Sequence, residues 1–129
     1  MAKKSSLRKT LTKAQRIAVY EKYDGHCAYC GCKLEYKDMQ VDHIESVCKA
    51  KFKKELRATL NDIDNYMPAC RACNYYKKAA SIEGFRRKLK TLHTRLKKIF
   101  IYKLAVKYGL IEEKPVKIVF YFEKEENPS

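Results

Sequence analysis

Asn65-Tyr-Met-Pro-Ala-Cys70-Arg-Ala-Cys73-Asn74 decides how this chain of 129 residues folds. Its two cysteines stand two residues apart, the spacing at which one tight turn aims two thiolates at a single tetrahedral ion. The same spacing recurs upstream in Cys27-Ala-Tyr-Cys30. Two such knuckles supply the four sulfurs of a structural zinc site, so Cys27, Cys30, Cys70 and Cys73 are the predicted Zn2+ ligands. Between the knuckles lies an Asp42-His43 dipeptide, and Asn74 follows the last cysteine directly.

Disulfides and redox catalysis are the competing uses of such cysteines. No apolar run follows the lysine-rich start Met1-Ala-Lys-Lys, so no signal peptide is predicted, and the expected compartment is a reducing cytoplasm where disulfides are rare. A thioredoxin-like dithiol would need one pair beside a βαβ pattern, whereas two pairs occur here without it. Cys32 and Cys48 have no partner at knuckle spacing and are read as free or half-buried thiols, Cys32 being near enough to Cys30 to substitute as a ligand.

The length allows one domain, and a 46% hydrophobic content buries only a modest core, so bound metal would carry much of the stability. No stretch approaches the roughly twenty apolar residues that cross a bilayer, and no membrane association is expected. The 29 Lys+Arg against 15 Asp+Glu leave a net charge of +14, which points to a polyanionic partner. That excess is concentrated: residues 77–107 carry eleven basic side chains and one acidic, while the cysteine-framed centre is close to neutral. A solvated helix face can also be lysine-rich. Beside a candidate phosphodiester site, backbone contact with nucleic acid is the better reading, and Arg86, Arg87, Lys90, Arg95 and Lys97 are the predicted contacts. Lys77 and Lys78, one turn after Asn74, are read either as phosphate contacts or as solvated lysines.

Local signals place the elements. Thr12 with Gln15 forms a capping box, helical spacing runs from Lys13 to Tyr23, and Asp24-Gly25 ends it. Residues 40–44 read as a short strand with Val41 and His43 on one side and Asp42 on the other. Lys49 to Leu60 reads as a short helix or an exposed loop. Residues 66–69 are extended into the second knuckle, as the residue before a proline usually is, and a helix is expected to start at the metal site. Ser81 then caps one long helix with Phe85, Leu89, Leu92, Leu96 and Ile99 as its apolar stripe and Gly109 as its stop. Val116-Lys-Ile-Val-Phe-Tyr-Phe reads as a terminal strand, and a polar tail begins at Glu123. His26 is read as exposed or a spare ligand, and His93 as a phosphate contact or solvated.

Cys27-Ala-Tyr-Cys30-Gly, Val41-Asp42-His43-Ile44 and the Asn65–Asn74 stretch, in that order, resemble the HNH endonuclease family over about residues 14 to 87. The resemblance implies an α+β chain with a ββα-metal fold that holds one catalytic divalent ion, stapled here by a four-cysteine zinc site. The N-terminal helix, long basic C-terminal helix and terminal strand would be its additions. Residues 1–12 would be a basic arm, 13–80 the nuclease core and 81–129 the extension. Carried over by position, His43 is the general base, Asp42 a ligand of the catalytic ion, Asn65 the residue that holds the loop and orients the histidine, and Asn74 the second metal ligand. Many members have histidine at the last position. Asparagine offers a neutral carbonyl oxygen, which suits Mg2+ or Mn2+ better than zinc or nickel.

The chemistry agrees with these roles. Phosphodiester hydrolysis needs a water deprotonated near neutral pH and a cation on the phosphate oxygens. Histidine suits the first task, with an unperturbed pKa of roughly 6.5. Strand neighbours point to opposite faces, so Asp42 can hold the ion while His43 faces the water. The expected function is a metal-dependent DNA endonuclease, leaving 5′-phosphate and 3′-hydroxyl ends as the resemblance implies. Its small architecture is similar to HNH nucleases of bacteria and their phages, acting in the cytoplasm of the cell or infected host. The alternatives are a zinc-dependent nucleic-acid-binding protein without catalysis, or an inhibitor on the same scaffold. A homodimer or protein partner through residues 82–107 also fits, and no small-molecule substrate is evident.

Overall fold

The computed structural model describes residues 10–45 and 61–126. The element read at Lys49 to Leu60, Cys48, and residues 1–9 of the basic arm lie outside them. Helix α1, Lys13–Glu21, starts at the capping box: Thr12 Oγ1 accepts from the Gln15 N–H at 3.1 Å, and Gln15 Oε1 accepts from the Thr12 N–H at 2.9 Å. It stops two residues before the predicted end, because the chain turns through positive φ at Asp24 and Gly25. A Cβ on Gly25 would stand 2.9 Å from the Tyr20 hydroxyl, which itself donates to the Leu34 carbonyl at 2.7 Å. This turn delivers the chain to the first knuckle.

Strand β1, Gln40–His43, pairs antiparallel with β2, Tyr66–Ala69, with Asp42 opposite Met67 and His43 opposite Tyr66. Helix α2, Arg71–Lys77, follows at once with Cys70 as its N-cap. Together β1, β2 and α2 are the expected ββα unit. Pro68 donates nothing to the ladder, but its carbonyl accepts from the Ala28 N–H at 2.8 Å and so ties the hairpin to the first knuckle. The core gathers Val19, Tyr29, Leu34, Met39, Tyr66 and Met67 with Phe85 and Phe120 from the C-terminal extension.

Two expectations for that extension fail. The single long helix is three: α3, Ile82–Lys90; α4, Leu92–Leu96; and α5, Phe100–Lys107. Ser81 does cap α3, accepting from the Gly84 N–H at 3.0 Å, and Gly109 at φ 74 does end α5. The first break falls at Thr91, whose hydroxyl donates to the Lys88 carbonyl at 2.7 Å and competes with the helix ladder. The second falls at Ile99, which is extended at φ −96, ψ 120. Apolar periodicity marks which side chains share a face, and it is silent about breaks between turns. The stripe is correspondingly split: Phe85 is buried and Leu89 packs against the core, but Leu92 and Ile99 are exposed.

The predicted terminal strand is also absent. Residues 112–120 are irregular, and Tyr121–Glu126 form helix α6. The segment finds its backbone partners on the first knuckle instead of on a sheet edge: Tyr121 N–H donates to the Tyr29 carbonyl at 3.0 Å and Phe122 N–H to the Ala28 carbonyl at 2.8 Å. Phe120 inserts between Phe85, stacked at 5.2 Å, and Tyr29, edge-on at 5.5 Å. Glu123 accepts from the Phe120 N–H at 2.8 Å and so caps the start of α6. No helix among the described residues is long and apolar enough to cross a membrane.

Candidate metal centre and active site

The four predicted sulfurs come together, all within 4.8 Å of one another, with Cys30 Sγ 3.9 Å from Cys70 Sγ. A tetrahedron with Zn–S bonds of about 2.3 Å puts its sulfurs roughly 3.8 Å apart, so the four could hold one zinc ion. Backbone amides support the anionic sulfurs: the Tyr29 N–H reaches Cys27 Sγ and the Cys73 N–H reaches Cys70 Sγ, each at 3.4 Å. A hydrogen bond from Cys73 holds the Cys27 thiol down to about 4, and the same bond together with burial pushes Cys73 up. Cys32 is exposed and stands outside the four. His26 is no ligand either. Its ring stacks on Tyr121 at 5.2 Å and its Nδ1 lies 3.2 Å from the Tyr23 carbonyl.

Asn65 clamps the residues that follow His43. Its carbonyl accepts from the Ile44 N–H at 2.8 Å, its side-chain oxygen from the Glu45 N–H at 2.9 Å, and its amide donates to the Glu45 carbonyl at 3.0 Å. Asn65, the residue before β2, is thereby tied to the backbone just beyond the strand that carries Asp42 and His43. His43 is 5% exposed; its ring meets Tyr66 edge-on at 5.1 Å, and Nε2 lies 3.3 Å from Asn61 Oδ1. With Nε2–H donating to Asn61, Nδ1 carries the lone pair of the ring, and it is shielded from solvent. Asn61 was not legible in the sequence, since it sits in a polar run with nothing to distinguish it from loop residues.

Asp42 is buried and its Oδ2 is fully engaged. Tyr29 O–H donates to it at 2.5 Å, and Lys77 Nζ lies 3.0 Å away. Burial first, and then the charge of Asp42, push the Tyr29 hydroxyl well above its ordinary value, so it stays a donor. Lys77 also donates to the His43 carbonyl at 3.1 Å. Asn74 lies one turn before Lys77 on α2, half-buried, and its side-chain amide makes no hydrogen bond among the described residues. Asp42 Oδ1 and the Asn74 side-chain oxygen are uncommitted hard oxygens of the type a divalent ion takes, while the Lys77 ammonium beside Oδ2 opposes a second cation there.

The expected DNA contacts divide. Lys77 is fully buried, so its ammonium is not offered to an outside phosphate. Cys70, Cys73, Asn74 and Lys77 recur at i, i+3, i+4 and i+7, an inward-facing stripe, and that spacing was the signal for its orientation. Arg86 is likewise spent within the fold. It pairs with Glu83 at 3.0 Å and Glu123 at 2.5 Å, donates to the Ile118 carbonyl at 2.6 Å, and stands over the Phe120 ring at 4.8 Å. Arg95 is exposed and donates to the Tyr76 hydroxyl at 2.6 Å. Lys78, Arg87, Lys90 and Lys97 are not enclosed in this way, Lys78, Lys90 and Lys97 standing exposed and Arg87 at the surface of α3. Lys78 lies over Tyr75, an aromatic ring 72% exposed beside Asn74.

A two-stranded antiparallel sheet, the helix that follows it and four convergent cysteines that could hold one metal ion define a small ββα module. Residues 27–79 match the family model of the HNH endonuclease. No curated protein and no solved structure matches the chain.

Proposed function

We propose that this protein is a metal-dependent endonuclease that hydrolyses DNA phosphodiester bonds, with His43 as its general base. The observation that carries the reading is the Asn65 clamp around Ile44 and Glu45, which fixes the backbone immediately after His43. Such a device serves a histidine whose position matters. Asp42 and Asn74 would hold Mg2+ or Mn2+, and the four cysteines a structural Zn2+. When bound, the divalent ion supplies positive charge to the phosphate oxygens and the departing 3′ oxygen. His43 Nδ1 takes the proton of the attacking water, while Asn61 holds the opposite ring nitrogen. Products would carry 5′-phosphate and 3′-hydroxyl ends.

Lys78, Arg87, Lys90, Arg95 and Lys97 would supply backbone contacts, which position the duplex without reading its sequence. The setting would be the cytoplasm of a bacterial or phage-infected cell. A binder without catalysis would have no need of an Asp42-His43 pair followed by an uncommitted Asn74 on α2. Incubation of zinc-loaded protein with supercoiled plasmid, with Mg2+ or Mn2+ supplied or omitted, tests the reading. Metal-dependent conversion to nicked or linear plasmid is expected. Retarded but intact plasmid in every lane would assign the protein to the binders.

A further inference from the structure

Asp42 is asked to receive a divalent ion, yet one of its oxygens already has a cation. Lys77 Nζ lies 3.0 Å from Asp42 Oδ2, and both side chains are shielded from solvent, at 1% and 2% exposure. A carboxylate so placed cannot remain charged without a partner. The same ammonium donates to the His43 carbonyl at 3.1 Å, so one side chain joins α2, which bears Asn74, to the end of β1, which bears Asp42 and His43. Tyr29 holds the same carboxylate oxygen from inside the first cysteine knuckle.

We propose that Lys77 is the built-in counter-ion of Asp42, which holds the carboxylate aimed before the divalent ion arrives and competes electrostatically with that ion for it. This rests on the reading of Asp42 as a metal ligand. Two cations sharing one carboxylate repel each other, most strongly where water is excluded. Metal affinity is thereby held below what Asp42 and Asn74 alone would give, and the fold tolerates loss of the ion. A lysine that only filled space and paired charge would affect stability to the same extent whether or not the ion was present.

The test uses the zinc-loaded full chain, with Mn2+ binding followed by the paramagnetic signal of the free ion and unfolding followed thermally, with and without Mn2+. Lys77→Met should unfold at a lower temperature than the parent without Mn2+. It should regain more of that deficit on adding Mn2+ than the parent gains, and bind Mn2+ at least about tenfold more tightly. An equal deficit at every Mn2+ concentration, or Mn2+ binding no tighter than in the parent, overturns the proposal. Should Lys77→Met fail to fold, Asp42→Asn/Lys77→Met removes the stranded charge and should fold; a double variant as unfolded as the single one also overturns it. Asp42→Asn alone separates the two readings. Loss of the parent's Mn2+ response leaves Asp42 as ligand and makes the Lys77 result decisive, whereas an unchanged response removes the ligand reading and this inference with it.

Discussion

Asn65 makes three hydrogen bonds to two consecutive residues, and their value lies in where those residues stand. Asn65→Ala removes the two side-chain bonds at a cost of about 1 kcal/mol each, less where water replaces them. The effect on cleavage should be larger, on the order of 10²-fold in kcat, because a displacement of about 1 Å at the base is that costly. Thermal unfolding and single-turnover cleavage of the same variant separate the two effects. A loss of activity no greater than the loss of folded protein would reduce Asn65 to a loop staple. Asn74→His replaces an oxygen donor by imidazole and should move the metal preference from Mg2+ towards softer transition ions. Rate titrations that leave the preference unchanged would remove Asn74 from the ligand set. The sequence singles these residues out because short motifs fix residue type and spacing together. Tyr29 and Lys77 were not, since nothing in Cys27-Ala-Tyr-Cys30 says that the tyrosine turns towards Asp42, and a lysine beside a basic segment reads as outward unless the helical phase from Cys70 is followed.

At the scale of elements, the C-terminal extension is held by Arg86 between Glu83 and Glu123 and by Phe120 in the core. Both carboxyls are held below their ordinary range by their hydrogen bonds to Arg86. A depressed folded-state pKa contributes stability that is complete above the unfolded value of about 4.3 and fades as pH falls through the folded one. Docking of residues 118–126 should therefore weaken below about pH 4, and hydrogen exchange at the Tyr121 and Phe122 amides should accelerate there. Exchange independent of pH, after correction for its intrinsic rate, would mean that Phe120 alone holds the segment. Arg86→Ala should release this segment and leave the salt dependence of DNA binding unchanged. Neutralising Arg87, Lys90 and Lys97 should flatten the slope of log K against log salt by about 0.9 per lost duplex contact. An unaltered slope in a folded variant would assign this face to solvent or to a protein partner. The sequence showed the charge of 77–107, but could not show which cations have internal partners, because Glu123 lies far along the chain from Arg86 and a run of Val116 to Phe122 satisfies a strand pattern as well as a packed strap.

At the scale of the whole molecule, the two knuckles join everything else. The first is bonded to β2 through Pro68 and to the C-terminal segment through Ala28 and Tyr29, and the second caps α2. Cys70→Ser should lose zinc and cooperative unfolding together, since few buried apolar residues remain to hold the hairpin, α2 and the strap in one body. A zinc-free variant that unfolds as sharply as the parent would show that the hydrophobic core suffices. The architecture around the knuckles was readable because four cysteines at knuckle spacing must converge wherever they share one site; the course of residues 91–120 was not, because tertiary contacts decide it there.

The central claim is that His43 abstracts the proton of the attacking water, and comparison of His43→Ala with the parent on supercoiled plasmid in Mn2+ tests it most directly. Plasmid affinity should stay within a few-fold of the parent, while the cleavage rate falls by about 10² to 10⁴, the contribution of a positioned base. A folded, zinc-loaded His43→Ala protein that cuts at the parental rate would contradict the account.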